Sequence, residues 1–197
     1  MKFSKEEKNL RIKDKILKRI IDINGHIEFK PSNKNQFDSL VEIVIAQFIS
    51  TKAANSIYEK IKKKFDTPYL NESHFQKLSV NEIKKLGLST NKAKSIKELS
   101  NLYIKQEIKN LTNLNEENLN KKLQSVFGIG PWSVNMFEIF CLGRLNIFSS
   151  KDAGLRLAMN NLDMVKKGSD LIYYDIYAQR WDPYKSIACI HLWKTVD

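Results

Sequence analysis

Residues 123–133 read Leu-Gln-Ser-Val-Phe-Gly-Ile-Gly-Pro-Trp-Ser, and an acid, Asp152, follows downstream. Leu123 and Val126 sit at helical spacing. Gly128-Ile129-Gly130 then imposes a tight reversal, because glycine tolerates positive φ. Pro131 suits the first position of a new helix, which Trp132 to Leu142 continues. The spacing predicts a helix–hairpin–helix. Its turn presents backbone N–H groups at a helix N-terminus, which is an anion site. Donors without a side chain in the way suit a DNA phosphate. Asp152 has two readings. Preceded by Ser149-Ser150-Lys151, it is placed as a helix N-cap. Its position beyond the hairpin also makes it a candidate catalytic carboxylate.

The charge balance points the same way. Thirty-three Lys and Arg against 22 Asp and Glu leave +11 on 197 residues. That excess favours a polyanionic partner. The run Lys62-Lys63-Lys64 by itself reads as a solvated helix face. Only Cys141 and Cys189 occur, both in apolar surroundings, so no disulfide framework is expected. No secretory or transit signal opens the chain; residues 1–20 read as a charged amphipathic helix. No apolar run is long enough to span a bilayer. A reducing interior is expected: a bacterial-type cytosol, or the nucleus of a eukaryote.

These residues must be positioned by helices, since nearly the whole chain reads as helix. Leu10, Ile16, Leu17, Ile20 and Ile23 form one stripe from Lys5 to Ile23, ended by Asn24-Gly25. A second helix starts near Phe37 and is apolar nearly all round through Phe48 and Ile49, so it is expected to be central and buried. Ala53 to Phe65 follows. Ser79-Val80-Asn81-Glu82 has capping-box spacing, with Leu86-Gly87 as its stop. Thr90 or Asn91 opens a helix through Ile108, and Asn115-Glu116-Glu117 opens the first hairpin helix. Further helices are expected over 153–161 and 169–180, and a last one ending at Trp193. The fold class expected is all-α, about ten helices in two lobes with a cleft between them.

Four segments resemble the helix–hairpin–helix (HhH-GPD) DNA glycosylase superfamily, and within it the 3-methyladenine glycosylase II (AlkA/Mag) branch. The first is Phe37-Asp38-Ser39-Leu40-Val41 through Ala46-Gln47-Phe48-Ile49-Ser50. The second is Leu88-Ser89 with Lys92-Ala93-Lys94-Ser95-Ile96. The third is the hairpin, Phe127 to Asn135. The last is Trp181-Asp182-Pro183-Tyr184-Lys185-Ser186 with His191-Leu192-Trp193. The hairpin alone is shared by many DNA-binding proteins, whereas the four in order are specific. The resemblance implies a single two-lobed domain over 1–197, with a central lobe at about 37–141. The second lobe takes the N-terminal helix and about 142–197, and the hairpin stands at the interlobe cleft.

The resemblance also implies roles. Asp152 falls where the family keeps its catalytic carboxylate. Breaking a base–sugar bond builds positive charge on the deoxyribose, and a fixed carboxylate stabilises it, as in glycosidases. Trp132 stands where strand-nicking members carry a lysine nucleophile, so a monofunctional enzyme is expected. The target base must leave the duplex. Trp132, Met136 and Trp193 are candidates for its pocket, because indole faces attract the cationic rings of alkylated purines. Trp132 and Met136, one turn apart, also read as core. The family's wedge position falls on Phe48, beside Gln47. Gly128, Ile129 and Gly130 are the DNA-binding hairpin. Two departures stand out. Phe148-Ser149-Ser150-Lys151 lacks the proline often found before the aspartate. Only 36 residues precede Phe37, so the strand-rich domain of some members is expected to be missing.

No cofactor is expected. Two cysteines cannot hold the iron–sulfur cluster of the endonuclease III branch, and His26, His74 and His191 lack zinc-ligand spacing. The family's hairpin often holds a monovalent cation, and Gly128 and Gly130 are compatible with one. The expected partner is double-stranded DNA with damaged bases, the expected state a monomer, and the expected process base excision repair. The alternatives are the same scaffold acting on an oxidised or deaminated base, and a non-catalytic protein that uses the hairpin only for backbone contacts.

Overall fold

A computed structural model describes residues 3–108 and 110–196. Among them there are twelve α-helices and two 3-10 turns, and no strand. The chain divides into two compact units: Ser32–Leu142, and Met1–Pro31 together with Gly143–Asp197.

The central unit is built around α3 (Gln36–Ala46). Six of its apolar residues, Phe37, Leu40, Val41, Ile43, Val44 and Ile45, are buried. A helix apolar on every side has to be enclosed. Accordingly α4 (Thr51–Lys64), α7 (Thr90–Ile104) and α9 (Pro131–Phe140) pack against it. The short α5 (Ser73–Gln76) and α6 (Val80–Lys84) pack on α7, and α8 (Glu116–Gln124) packs on α9. The expected Ser79 capping box is present, with both reciprocal bonds. Lys63 and Lys64 are exposed, as a solvated face should be.

Two boundaries fall short of the periodic reading. The second helix does not run to Ile49 but ends at Ala46, where Gln47 leaves helical geometry and Phe48 takes φ 58°. The helix from Thr90 stops at Ile104 instead of Ile108; Lys105 closes it and Gln106 turns at φ 63°.

The other unit holds α1 (Lys5–Lys13), α2 (Lys15–Asn24), α10 (Ala153–Asn161), α11 (Leu171–Ala178) and α12 (Lys185–Trp193). α12 packs on α1, α2 and α10. The expected single helix from Lys5 to Ile23 is two helices; the part of that amphipathic segment on Met1 and Lys2 lies outside the described residues. Asp14 makes the break. Its extended backbone (φ −141°, ψ 113°) closes α1, and its Oδ1 accepts the Ile16 and Leu17 amides at 2.9 and 3.0 Å to open α2. Its Oδ2 accepts the buried Trp181 indole N–H at 2.9 Å. The helix expected over 169–180 is the shorter α11 followed by a 3-10 turn over Gln179–Trp181. With this extra turn, the split at Asp14 and α5, the count exceeds the ten helices expected.

Glu7 ties the first helix to the last. Its carboxylate is fully buried, accepts the Ser4 and Ile27 amides at 2.7 and 2.9 Å, and meets His26 at 2.8 Å and His191 at 3.2 Å. Burial pushes its pKa up, but the Ile27 and Ser4 amides and His26 outweigh that and hold it below the ordinary 4.5. Burial keeps the His191 pKa below its usual value; its Nε2 meets Glu7 at 3.2 Å and its Nδ1 faces the Asn24 amide at 3.3 Å.

Two stability outcomes are expected. Asp14→Ala removes two cap bonds and orphans a buried indole N–H, so urea unfolding should show a loss of about 2–4 kcal/mol; a loss under about 1 kcal/mol would contradict the assignment. Glu7 has a depressed folded pKa, so its contribution is present above pH 4.5 and fades as pH falls through the lower folded value. Glu7→Gln should therefore flatten the pH dependence of unfolding midpoints below pH 5; an unchanged acid limb would contradict this.

Candidate functional site

The hairpin belongs to the central unit. Asn115 caps α8 by accepting the Asn118 amide at 2.9 Å, and Pro131 stands in the first turn of α9, as its fixed φ allows. The two glycines differ. Gly128 needs its left-handed φ of 78°, and a Cβ there would stand 2.2 Å from Ser95 Oγ. The reversal is thus pressed onto α7. Gly130 has ordinary extended geometry (φ −105°, ψ 179°) and open space where a Cβ would be. Only Gly128 is demanded by the fold. Ile129 between them is buried and anchors the turn.

The turn's amides divide likewise. Phe127 N–H goes to Glu98 at 3.2 Å and Ile129 N–H to the Val126 carbonyl at 3.1 Å. The Gly128 and Gly130 N–H groups have no protein acceptor among the described residues. They are the donors an anion would take. The carbonyls are engaged instead. Gly128 O accepts the Gln47 amide at 2.9 Å and Gly130 O accepts Val134 N–H at 3.2 Å. Each oxygen accepts one hydrogen bond and keeps a second lone pair, so the pair remains compatible with a monovalent cation.

Gln47 and Phe48 are adjacent and face different tasks. Phe48 is fully exposed, at 102 %. Gln47 turns back, its amide donating to Gly128 O and to Ser133 Oγ, each at 2.9 Å. Lys92 Nζ donates to Ile45 O at 2.8 Å and caps the end of α3. Burial lowers the Lys92 pKa. Trp132 is half-buried in the first turn of α9. Met136, one turn on, is buried.

The carboxylate is held in the other unit. Asp152 takes the N-cap reading: it caps α10, accepting Leu155 N–H on Oδ1 at 2.7 Å. The same oxygen accepts the Trp193 indole N–H at 3.0 Å. Asp152 is 8 % exposed, while Lys151 beside it is exposed. Trp193, half-buried at the end of α12, thus meets the carboxylate edge-on through its N–H. Gly154 makes room for this pair. A Cβ there would stand 3.2 Å from Asp152 Oδ1 and 3.3 Å from Trp193 Cδ1. Sequence reasoning passed over Gly154, because a glycine inside a helical stretch carries no signal until its neighbours are known.

Comparison with known proteins places this geometry in a family. The pattern of the HhH-GPD superfamily of base excision DNA repair proteins matches residues 41–181. The chain is 27% identical to DNA-3-methyladenine glycosylase 1 of Schizosaccharomyces pombe, over 98% of this chain and 87% of that one. The solved structure of the 3-methyladenine DNA glycosylase of that yeast in complex with abasic DNA matches with a TM-score of 0.88 at 25% identity, covering 98% and 96% of the two chains. A DNA-3-methyladenine glycosidase from Bacillus halodurans matches with a TM-score of 0.77 at 28% identity, covering 98% and 89%. The chain belongs to the HhH-GPD superfamily of base excision DNA repair proteins.

Proposed function

We propose that this chain is a monofunctional DNA glycosylase that releases alkylated purines of the 3-methyladenine and 7-methylguanine type from double-stranded DNA. The observation that carries the reading is Asp152, a buried acid fixed by the first turn of α10 and by an indole N–H. The names of the similar yeast and Bacillus proteins support the substrate class.

The chemistry follows from charge. When the base–sugar bond breaks, its electron pair leaves with the base and positive charge spreads over C1′ and the ring oxygen. A carboxylate about 4 Å away, at an effective dielectric of about 20, attracts that charge by ~4 kcal/mol. That is worth roughly three powers of ten in rate. Asp152 also orients the water that adds at C1′, giving free base and an abasic site. An N-alkylated purine is already cationic and leaves neutral, so no general acid is required. Trp132 offers its indole face to such a cation. It occupies the position of the lysine nucleophile in strand-nicking members, and an indole forms no Schiff base. The N–H groups of Gly128 and Gly130 take a backbone phosphate, Phe48 fills the stack left by the everted nucleotide, and the chain acts as a monomer in the compartment that holds the DNA.

Two outcomes check this. Asp152→Asn should cut release of 3-methyladenine from methylated duplex by about a hundredfold or more while duplex binding persists. Release at the wild-type rate would contradict the assignment, as would strand scission by the wild type without added base. Gly130→Ala adds a methyl group where nothing in the protein stands, so its melting temperature should hold. Its duplex affinity in a fluorescence titration should fall about tenfold, the worth of one charge-assisted hydrogen bond. Unchanged affinity would remove the hairpin from the interface.

A further inference from the structure

We propose that Gln47 is a positioning residue that locks the Phe48 turn to the phosphate-gripping hairpin, so that the wedge and the strand grip move as one body. The inference rests on the reading of this chain as a base-everting glycosylase. It starts from an unfavourable arrangement. Phe48 is a bulky non-glycine residue at φ 58°, a backbone region with a steric cost. Its ring is wholly in water, so burial offsets nothing. The apolar run Ile43-Val44-Ile45 would extend the helix through it, yet α3 ends at Ala46. Such strain persists only where neighbouring structure over-determines it.

The determining contacts are on either side of the turn. Lys92 Nζ caps Ile45 O at 2.8 Å, and Ser50 starts α4 by accepting the Ala53 amide at 3.3 Å. Between them, the Gln47 carboxamide reaches 81 and 86 residues along the chain, donating to Gly128 O and Ser133 Oγ at 2.9 Å each. Gly128 is the reversal itself, pressed on Ser95, and Ser133 is buried in the first turn of α9. One planar amide therefore joins the turn of the hairpin to its second helix. A phosphate seated on that hairpin fixes, through Gln47, where the next residue's ring enters the stack. A glutamine that merely satisfied a carbonyl would matter equally for every substrate. A glutamine that aims the wedge matters most when eversion is costly.

The test is single-turnover release of 7-methylguanine from two duplexes, one with the lesion paired with cytosine and one with it opposite an abasic-site analogue, where unpairing costs little. Wild type, Gln47→Ala, Phe48→Ala and the double variant are compared. The fold-loss for Gln47→Ala should be at least about fivefold larger on the paired lesion than on the unpaired one, and the double variant should be no slower than Phe48→Ala on the paired lesion. Because each ratio is taken within one variant, a partly unfolded preparation does not change it. Equal fold-losses on both duplexes, or multiplicative losses in the double variant, would overturn the inference while leaving the glycosylase reading intact. A wild type that releases no alkylated base from either duplex would overturn both.

Discussion

The structure depends on one constraint: a buried carboxylate must be hydrogen-bonded, and its partners then decide where it points. Asp152 meets that constraint at a helix start. The N–H groups of the first turn carry the partial positive end of the helix dipole, so an acid is well matched there. The cap geometry and the proposed catalytic role ask the same thing of the carboxylate, a fixed direction. Capping fixes Oδ1 with Leu155, the indole N–H of Trp193 fixes it from a second direction, and Gly154 keeps both approaches open. A fixed carboxylate needs little rearrangement when charge appears beside it, which is the basis of electrostatic catalysis.

The same logic of held polar groups runs through the central unit. Its hairpin engages the Gly128 and Gly130 carbonyls inside the protein, and the N–H groups of the same two glycines have no protein acceptor among the described residues. That division gives the turn its sign. The two glycines serve different ends: Gly128 answers to backbone geometry and to Ser95, and Gly130 answers to open space. The lysine excess of the chain adds long-range attraction to a polyanion, while the hairpin supplies the short-range geometry.

Much of this was legible in the sequence because it is local. The hairpin, the Ser79 capping box, the helix over 153–161 and the buried α3 all follow from residues within a few positions of each other. What was not legible depends on distant partners. The apolar stripe runs unbroken across Asp14, and the indole that makes the break stable is 167 residues away. The end of α3 is hidden for the same reason, since Gln47 finds its acceptors only after the hairpin has docked. Lys92 was visible as part of a familiar segment, but its task as the cap of α3 appears only in three dimensions. Met136, one turn from Trp132 on the same helix, is buried where Trp132 is half-buried, a difference that helical spacing alone does not carry.

The central claim is that the Asp152 carboxylate recognises positive charge at the anomeric carbon. The most direct measurement is the affinity for two duplexes that differ only in an abasic analogue, one a cationic pyrrolidine and one a neutral tetrahydrofuran. The account predicts that the wild type binds the cationic duplex about a hundredfold more tightly, and that Asp152→Asn abolishes the preference. Equal affinity of the wild type for both duplexes, or a preference that survives in Asp152→Asn, would contradict it.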